Sequence, residues 1–258
     1  MNNMVEFIGL LGEAWGKFEE TKWLLPVPVI MSLMDYGKLV KVLSFEGIHL
    51  GIRFPLPEPA PSLWSFVSLP TNTPGIELSI QGLITTALFV ILGSYLEAGY
   101  LGSIRDAVRT AEGSFFKNAE RDFLKFLQFN LLVYTLTLTL GLPVMAIPTL
   151  FILVMPMLLA FLYLVYGTPF LISIYGLGFT EALKESINLA KRGGEYLNYA
   201  LKYLALGAVV SIPMTFIVVN GGTLGLLAGL IISTPLSLTL STATVIFFEL
   251  VREQNTVA

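Results

Sequence analysis

The chain predicts an all-α integral membrane protein, and three observations carry that prediction. Residues 126–180 run for fifty-five positions without one Asp, Glu, Lys, Arg or His, and residues 203–248 do so for forty-six. One helix crosses a hydrocarbon core with roughly 20 apolar residues, so each stretch holds two passes and a turn. Composition agrees: 55% of residues are hydrophobic and 13% charged, where a soluble domain carries about 25% charge.

The same numbers bound the function. At 258 residues the chain makes one helical domain with no second soluble one. A net charge of −3 argues against a nucleic-acid partner, because phosphate binding needs a strong basic patch. There is no cysteine and one histidine, His49, which excludes thiol chemistry, His-based triads and Cys or multi-His metal sites within one chain. No cofactor motif appears, and no Gly-rich loop precedes a Lys-Ser or Lys-Thr. The first residues, with acids among apolar positions and no basic segment, do not read as a cleaved signal peptide.

Six passes are expected. The first covers about 23–42, and only 23–34 is free of charge. The second is about 79–102, the third 126–142, the fourth 149–175, the fifth 199–219 and the sixth 223–248. Gly141-Leu142-Pro143 with Pro148, and Asn220-Gly221-Gly222, mark turns. Pro156, Pro169, Pro213 and Pro235 predict kinks, since neighbouring helices re-satisfy the freed backbone groups. Twelve of the fifteen basic residues fall on one side of this arrangement. The positive-inside rule then puts both termini in the cytoplasm, at the plasma membrane, which requires an even number of passes.

Three segments look alike. Leu11-Gly12-Glu13-Ala14, Leu101-Gly102-Ser103-Ile104-Arg105-Asp106-Ala107 and Leu177-Gly178-Phe179-Thr180-Glu181-Ala182 each open an amphipathic stretch. Ile104, Val108, Ala111, Phe115, Ala119 and Phe123 recur at helical spacing in one, Leu183, Ile187 and Ala190 in another. Glycine breaks follow at Gly113 and Gly193-Gly194. The chain reads as three parallel repeats of cytoplasmic surface helix, pass, pass. With GSYLEAGYLGSIRDAV (93–108) and LGFTEALKESINLAKRG (177–193), residues 5–250 resemble a family of uncharacterised archaeal and bacterial multi-pass membrane proteins. That family is loosely akin to the membrane domain found beside glycerophosphodiester phosphodiesterases. The resemblance implies the fold; no catalytic residue carries over, because the phosphodiesterase chemistry belongs to a separate domain.

Residues 43–78 are the one long loop, placed outside, with six of the fourteen prolines. Ile48, Leu50, Ile52 and Phe54 alternate with His49, Gly51 and Arg53, a strand signal. Trp64 and Phe66 suit the interface. The segment reads as a lid, a partner surface or, the favoured reading, an ordered cap packed on the helix ends.

Ionisable groups at membrane depth are costly and are candidates by default. Asp35 and Lys38 stand three apart on one helix face, as an intramembrane pair or as an interfacial one with Lys38 snorkelling. Glu97 lies near the cytoplasmic end of pass two and Glu249 near that of pass six. Each is either a salt-bridge partner of Arg105, Arg109 or Arg252, or a carboxylate at the mouth of a cation or proton path. Gln81 and Asn130 are further candidates for the polar site, as amides that line a pore or, more commonly, bond across helices. Gly221, Gly225, Gly229, Ser233, Ser237 and Ser241 recur every four residues, a small-residue stripe for close packing within the chain or for self-association.

No paired aspartates, Ser–His pair or clustered acids with a metal motif are present, so catalysis is not expected. Two functions stay open. One is a passive or ion-coupled pathway for a small solute or ion, or a ligand-binding bundle; the other is a membrane scaffold or accessory subunit docking partners through its cytoplasmic helices and outer loop, with the lipid bilayer and a protein partner or a second copy as its neighbours.

Overall fold

The computed structural model describes residues 6–70, 80–110 and 114–256. Among them every regular element is helical. Helix α1 (Phe7–Gly16) buries Phe7, Leu10 and Ala14, the spacing of one helix face. A short α2 (Phe18–Thr21) leads to α3 (Pro26–Met34), whose prolines sit in the first turn, where no N–H is needed. Asp35 leaves helical geometry at φ −82°, ψ 70°, and its carboxylate accepts from the Lys38 N–H at 3.2 Å. It thereby caps α4 (Tyr36–Leu43). The segment of the expected first pass is bent by 70° at Asp35, the geometry of a broken span or of a re-entrant loop.

Helices α5 (Ile80–Thr110) and α6 (Phe115–Ala146) form a long antiparallel hairpin. This corrects the surface helix expected after pass two. Its first half continues α5 and its second half opens α6. The apolar period does not change across the break, because the inner faces of both helices bury Ile104, Ala107 and Ala119 in the same bundle. Gly113 lies outside the described residues. Helix α6 also runs through the turn expected at 141–143. Pro143 stays helical, its carbonyl accepts from the Ile147 N–H at 2.9 Å, and the chain turns at Ile147-Pro148. A proline forfeits one backbone bond without ending a helix when its surroundings offer no better partner.

Helix α7 (Phe151–Val165) is separated from α8 (Thr168–Tyr175) at Tyr166-Gly167, just ahead of Pro169. Pro156, Pro213 and Pro235 lie inside unbroken helices. Gly176, with φ 67°, closes α8 in the left-handed conformation that favours glycine. Amphipathic α9 (Phe179–Arg192) ends at Gly193 and Gly194, both at positive φ. Helices α10 (Glu195–Asn220) and α11 (Gly222–Thr256) form the second hairpin, turning at Gly221-Gly222 as expected.

The C-terminal half of α11 is the centre of the molecule. The helix as a whole touches α1, α3, α5, α8 and α10, and in that half Leu238, Ala243, Val245, Phe247 and Phe248 are closed off from the surface. Aromatic rings fasten its neighbours to it: Tyr199 stacks on Phe247 at 4.1 Å and Phe170 on Phe248 at 5.2 Å. The outward faces are apolar too. Ile84, Leu88, Ile91 and Leu92 on α5 and Leu224, Leu227 and Ile231 on α11 are exposed, far more apolar surface than a water-soluble monomer shows. Among the described residues five helices are long and apolar enough to cross a membrane, six if the bent first pair counts as one span.

A polar site at the tip of a re-entrant loop

The loop expected as a cap on the helix ends instead threads into the bundle along α10. At the α10 end, Asn220 grips His49 twice: its Oδ1 accepts from the His49 N–H at 2.7 Å, and its Nδ2 donates to the His49 carbonyl at 3.0 Å. Further in, the Arg53 N–H donates to Ser211 Oγ at 2.9 Å. The Pro55 ring fills the space over Gly207. The Glu58 main chain then reaches the Tyr203 hydroxyl. From Asn220 to Tyr203 is a descent of about 25 Å at a rise of about 1.5 Å per residue. The return limb is tied as closely. The Leu63 N–H and Trp64 Nε1 bond Ser32 Oγ and its carbonyl at 2.9 and 2.7 Å, and the Ser68 N–H bonds Thr215 Oγ1 at 2.9 Å.

Irregular backbone survives away from water only where its polar groups find partners. The sequence of the tip reduces the demand. Pro55, Pro57, Pro59 and Pro61 have no N–H, so alternate residues carry no donor to satisfy. This explains why residues 48–54, which alternate like a strand, form none: their partners are helix side chains rather than a second strand. Trp64 and Phe66, expected at the interface, are core residues at 2% and 0% exposure.

The tip brings Glu58 to Glu97, near enough for the two charges to interact. Glu97 is not near the end of its pass. Because α5 continues to Thr110, Glu97 stands at the centre of the span Ile84–Arg109. Its Oε2 accepts from Asn130 Nδ2 at 2.7 Å, and the same amide reaches Ser94 Oγ at 3.0 Å. Glu58 Oε2 accepts from Ser65 Oγ at 2.5 Å. Among the described residues no Lys or Arg forms an ion pair with either carboxylate. The Tyr203 hydroxyl lies against the Glu58 main chain and the Tyr100 hydroxyl against Ser241, and Ser237 Oγ on the same helix as Ser241 is buried without a hydrogen-bond partner. The Pro59 carbonyl faces Ser241 Oγ at 3.5 Å.

The remaining predicted residues lie elsewhere. Lys38 pairs with Asp35 at 2.7 Å, half-exposed at the helix break. Glu249 pairs with Arg109 at 2.6 Å. The side chain of Gln81, like that of Arg252, lies outside the described residues. The small-residue stripe faces inward along α11: Gly225 packs on the Ile217 carbonyl, Gly229 meets Val218 and Leu63, and Ser233, Ser237 and Ser241 are buried, while Gly221, in the turn before the helix, is exposed.

Two features have no sequence forecast. Arg105, 8% exposed, donates from Nη1 to the Ser173 carbonyl at 2.6 Å and from Nη2 to Asn118 Oδ1 at 3.2 Å. It also binds Asp106, which accepts from Asn118 Nδ2 at 2.6 Å. Lys125 donates to the Gly176 carbonyl at 3.1 Å. Two cations thus serve the carbonyl end of α8, where the helix dipole favours them. Between α8, α9 and α11 lies a cavity of about 340 Å³ lined by Leu171, Leu189, Phe248 and Val251, with Glu181 and Glu185 at it as well. It shares no residue with the Glu58–Glu97 site. Among the described residues no group of three or more His, Asp or Glu could hold a metal.

No protein-family model, curated protein or solved structure matches this chain.

Proposed function

We propose that the chain is a non-catalytic integral membrane protein that binds a small solute at the Glu58–Glu97 site and passes it across the bilayer. One observation carries the reading: a proline-alternating loop, tied along α10 at His49, Arg53 and Pro55, carries Glu58 into electrostatic reach of Glu97, at the middle of the candidate span Ile84–Arg109. Ionisable groups at that depth are expensive and mark pathways or binding sites. In the same reading, three repeats face the cytoplasm with their basic segments, both termini lie there, and α1 and α9 rest at that surface. The open rim of the loop faces outside, clamped by Asn220.

Purified protein in sealed liposomes tests this with flux of protons, monovalent cations, anions and small neutral solutes. Wild-type flux of one class, reduced at least about tenfold in Glu97→Gln and Glu58→Gln, is the expected result; a lost charged hydrogen bond is worth about 1.5–3 kcal/mol. Vesicles that stay tight to all four classes with folded protein overturn it in favour of a scaffold or accessory subunit.

A further inference from the structure

Helix α8 packs against both α9 and α11, and the space left between those two holds about 340 Å³, within the range of small-molecule sites. Each helix gives this cavity one face. Leu171 and Tyr175 are four apart on α8, Phe248 and Val251 three apart on α11, and Glu181, Glu185 and Leu189 follow at four-residue steps on α9. Tyr175 and Val251 are also the last residues of two candidate spans. The cavity therefore has an apolar floor in the final turns of those spans and an acidic wall on a helix beyond them. We propose that it binds an amphiphilic organic cation, an ammonium group on an apolar body, with the ammonium against Glu185 and Glu181 and the body against Leu171, Leu189 and Phe248. This site does not rest on the Glu58–Glu97 site, with which it shares no residue.

The two acids have unequal roles within the chain. Glu181 stands in the first turn of α9, and its Oε2 accepts from the Gly178 N–H at 3.4 Å. Glu185 stands a turn later, half-buried, with no hydrogen bond or ion pair among the described residues. Like charges four apart on a helix repel, and a carboxylate held over apolar side chains loses part of its hydration. Lys184 is next to Glu185 in sequence, yet it is exposed and forms no part of the wall. A cation in the cavity relieves both costs. Other ligands fit less well. An anion meets two carboxylates. A divalent metal ion asks for about six oxygens or more, where most of this wall is carbon. A lipid chain fills the floor and leaves the acids as they were. The Tyr175 ring, fixed by its hydroxyl on the Phe248 carbonyl at 2.6 Å, adds an aromatic surface, which favours a cation over a neutral group.

The test is calorimetric titration of the detergent-purified full chain with octylammonium and with three relatives that each change one feature. Octanol lacks the charge, methylammonium lacks the apolar body, and octanoate reverses the charge. Wild type is expected to bind octylammonium saturably, and each of the other three at least about tenfold more weakly. Glu185→Gln is expected to weaken octylammonium about threefold to tenfold, as loss of a half-buried charge pair does, and to leave octanol unchanged; uptake by the micelle alone would be the same for both proteins. Leu177→Trp, which narrows the cavity from the loop between α8 and α9, is expected to weaken octylammonium and octanol alike. Glu120→Gln, at an exposed position of α6, is expected to behave as wild type. Octanol binding as tightly as octylammonium overturns the proposal in favour of a groove for lipid chains. Octylammonium binding unchanged in Glu185→Gln overturns it as well, and so does the absence of saturable binding to folded wild type. None of these results bears on flux through the Glu97 site, so the two readings stand or fall separately.

Discussion

Arg105 shows how much one residue can hold together away from water. Its guanidinium joins α5 to α6 through Asn118 and to α8 through the Ser173 carbonyl, with Asp106 as counter-ion. Arg105→Met keeps the apolar stem and removes the charge. Asp106 then loses its counter-ion and the Ser173 carbonyl its donor, and breaking one side of a buried pair costs about 3–5 kcal/mol. A large fall in Tm is expected, with only partial recovery in Arg105→Lys, because a lysine cannot reach three acceptors as a planar fork does. An Arg105→Met protein as stable as wild type would mean that the cluster is solvated. The sequence shows Arg105 only as one of several basic residues between two passes. Its partner Asn118 carries no pattern of its own, since a single amide announces itself only once the two helices are packed.

Glycines separate the close contacts of the helices from their open faces. On α10, a side-chain carbon added at Gly207 would run into the Pro55 ring, whereas on α6 Gly141 has nothing within 4 Å. Gly207→Ala is expected to lose about 1–3 kcal/mol, as overpacking does, and to push the loop off α10. Gly141→Ala is expected to gain up to about 1 kcal/mol, as alanine does over glycine inside a helix. Paired unfolding measurements check both, and protease cleavage near residues 48–58 should rise in the first variant alone. Equal stability of the two would mean that the loop does not pack on α10. The passes themselves were legible, because fifty-five residues without a charge can be little else. The descent of the loop was not. Alternation at 48–54 reports which side chains face the same way and nothing about what pairs with the backbone. The clue was the run of prolines at every second position around Glu58, a pattern that removes donors and suits a dry environment better than a cap at a wet surface. Glu97 was misplaced for a related reason: the charges from Arg105 onward mark where a helix becomes polar, while α5 continues to Thr110.

For the whole molecule the deciding quantity is parity. Five long helices put the termini on opposite sides of a bilayer; counting the bent pair as a sixth span puts them on the same side. The bend at Asp35 is held by a cap and an ion pair, so α3 and α4 are built to meet at an angle rather than to run straight. The pair is nevertheless tied to the rest of the bundle. Ser32 on α3 anchors the return limb of the loop, and α4 contacts α10 and α11. Placing twelve of fifteen basic residues on one face also requires an even count. The absence of cysteine from the chain makes the test clean, since every introduced thiol is the only one. With a membrane-impermeant maleimide on intact cells, Glu46→Cys is expected to label, as a residue on the outer approach to the loop. Glu13→Cys on α1 and Asn188→Cys on α9 are expected to label only after the membrane is opened. Labelling of Glu13→Cys from outside, with Asn188→Cys protected, would leave five spans and make the bent pair a re-entrant element. The loop would then enter from a different leaflet than its Asn220 clamp implies, and the route to Glu97 would have to be sought from the other side.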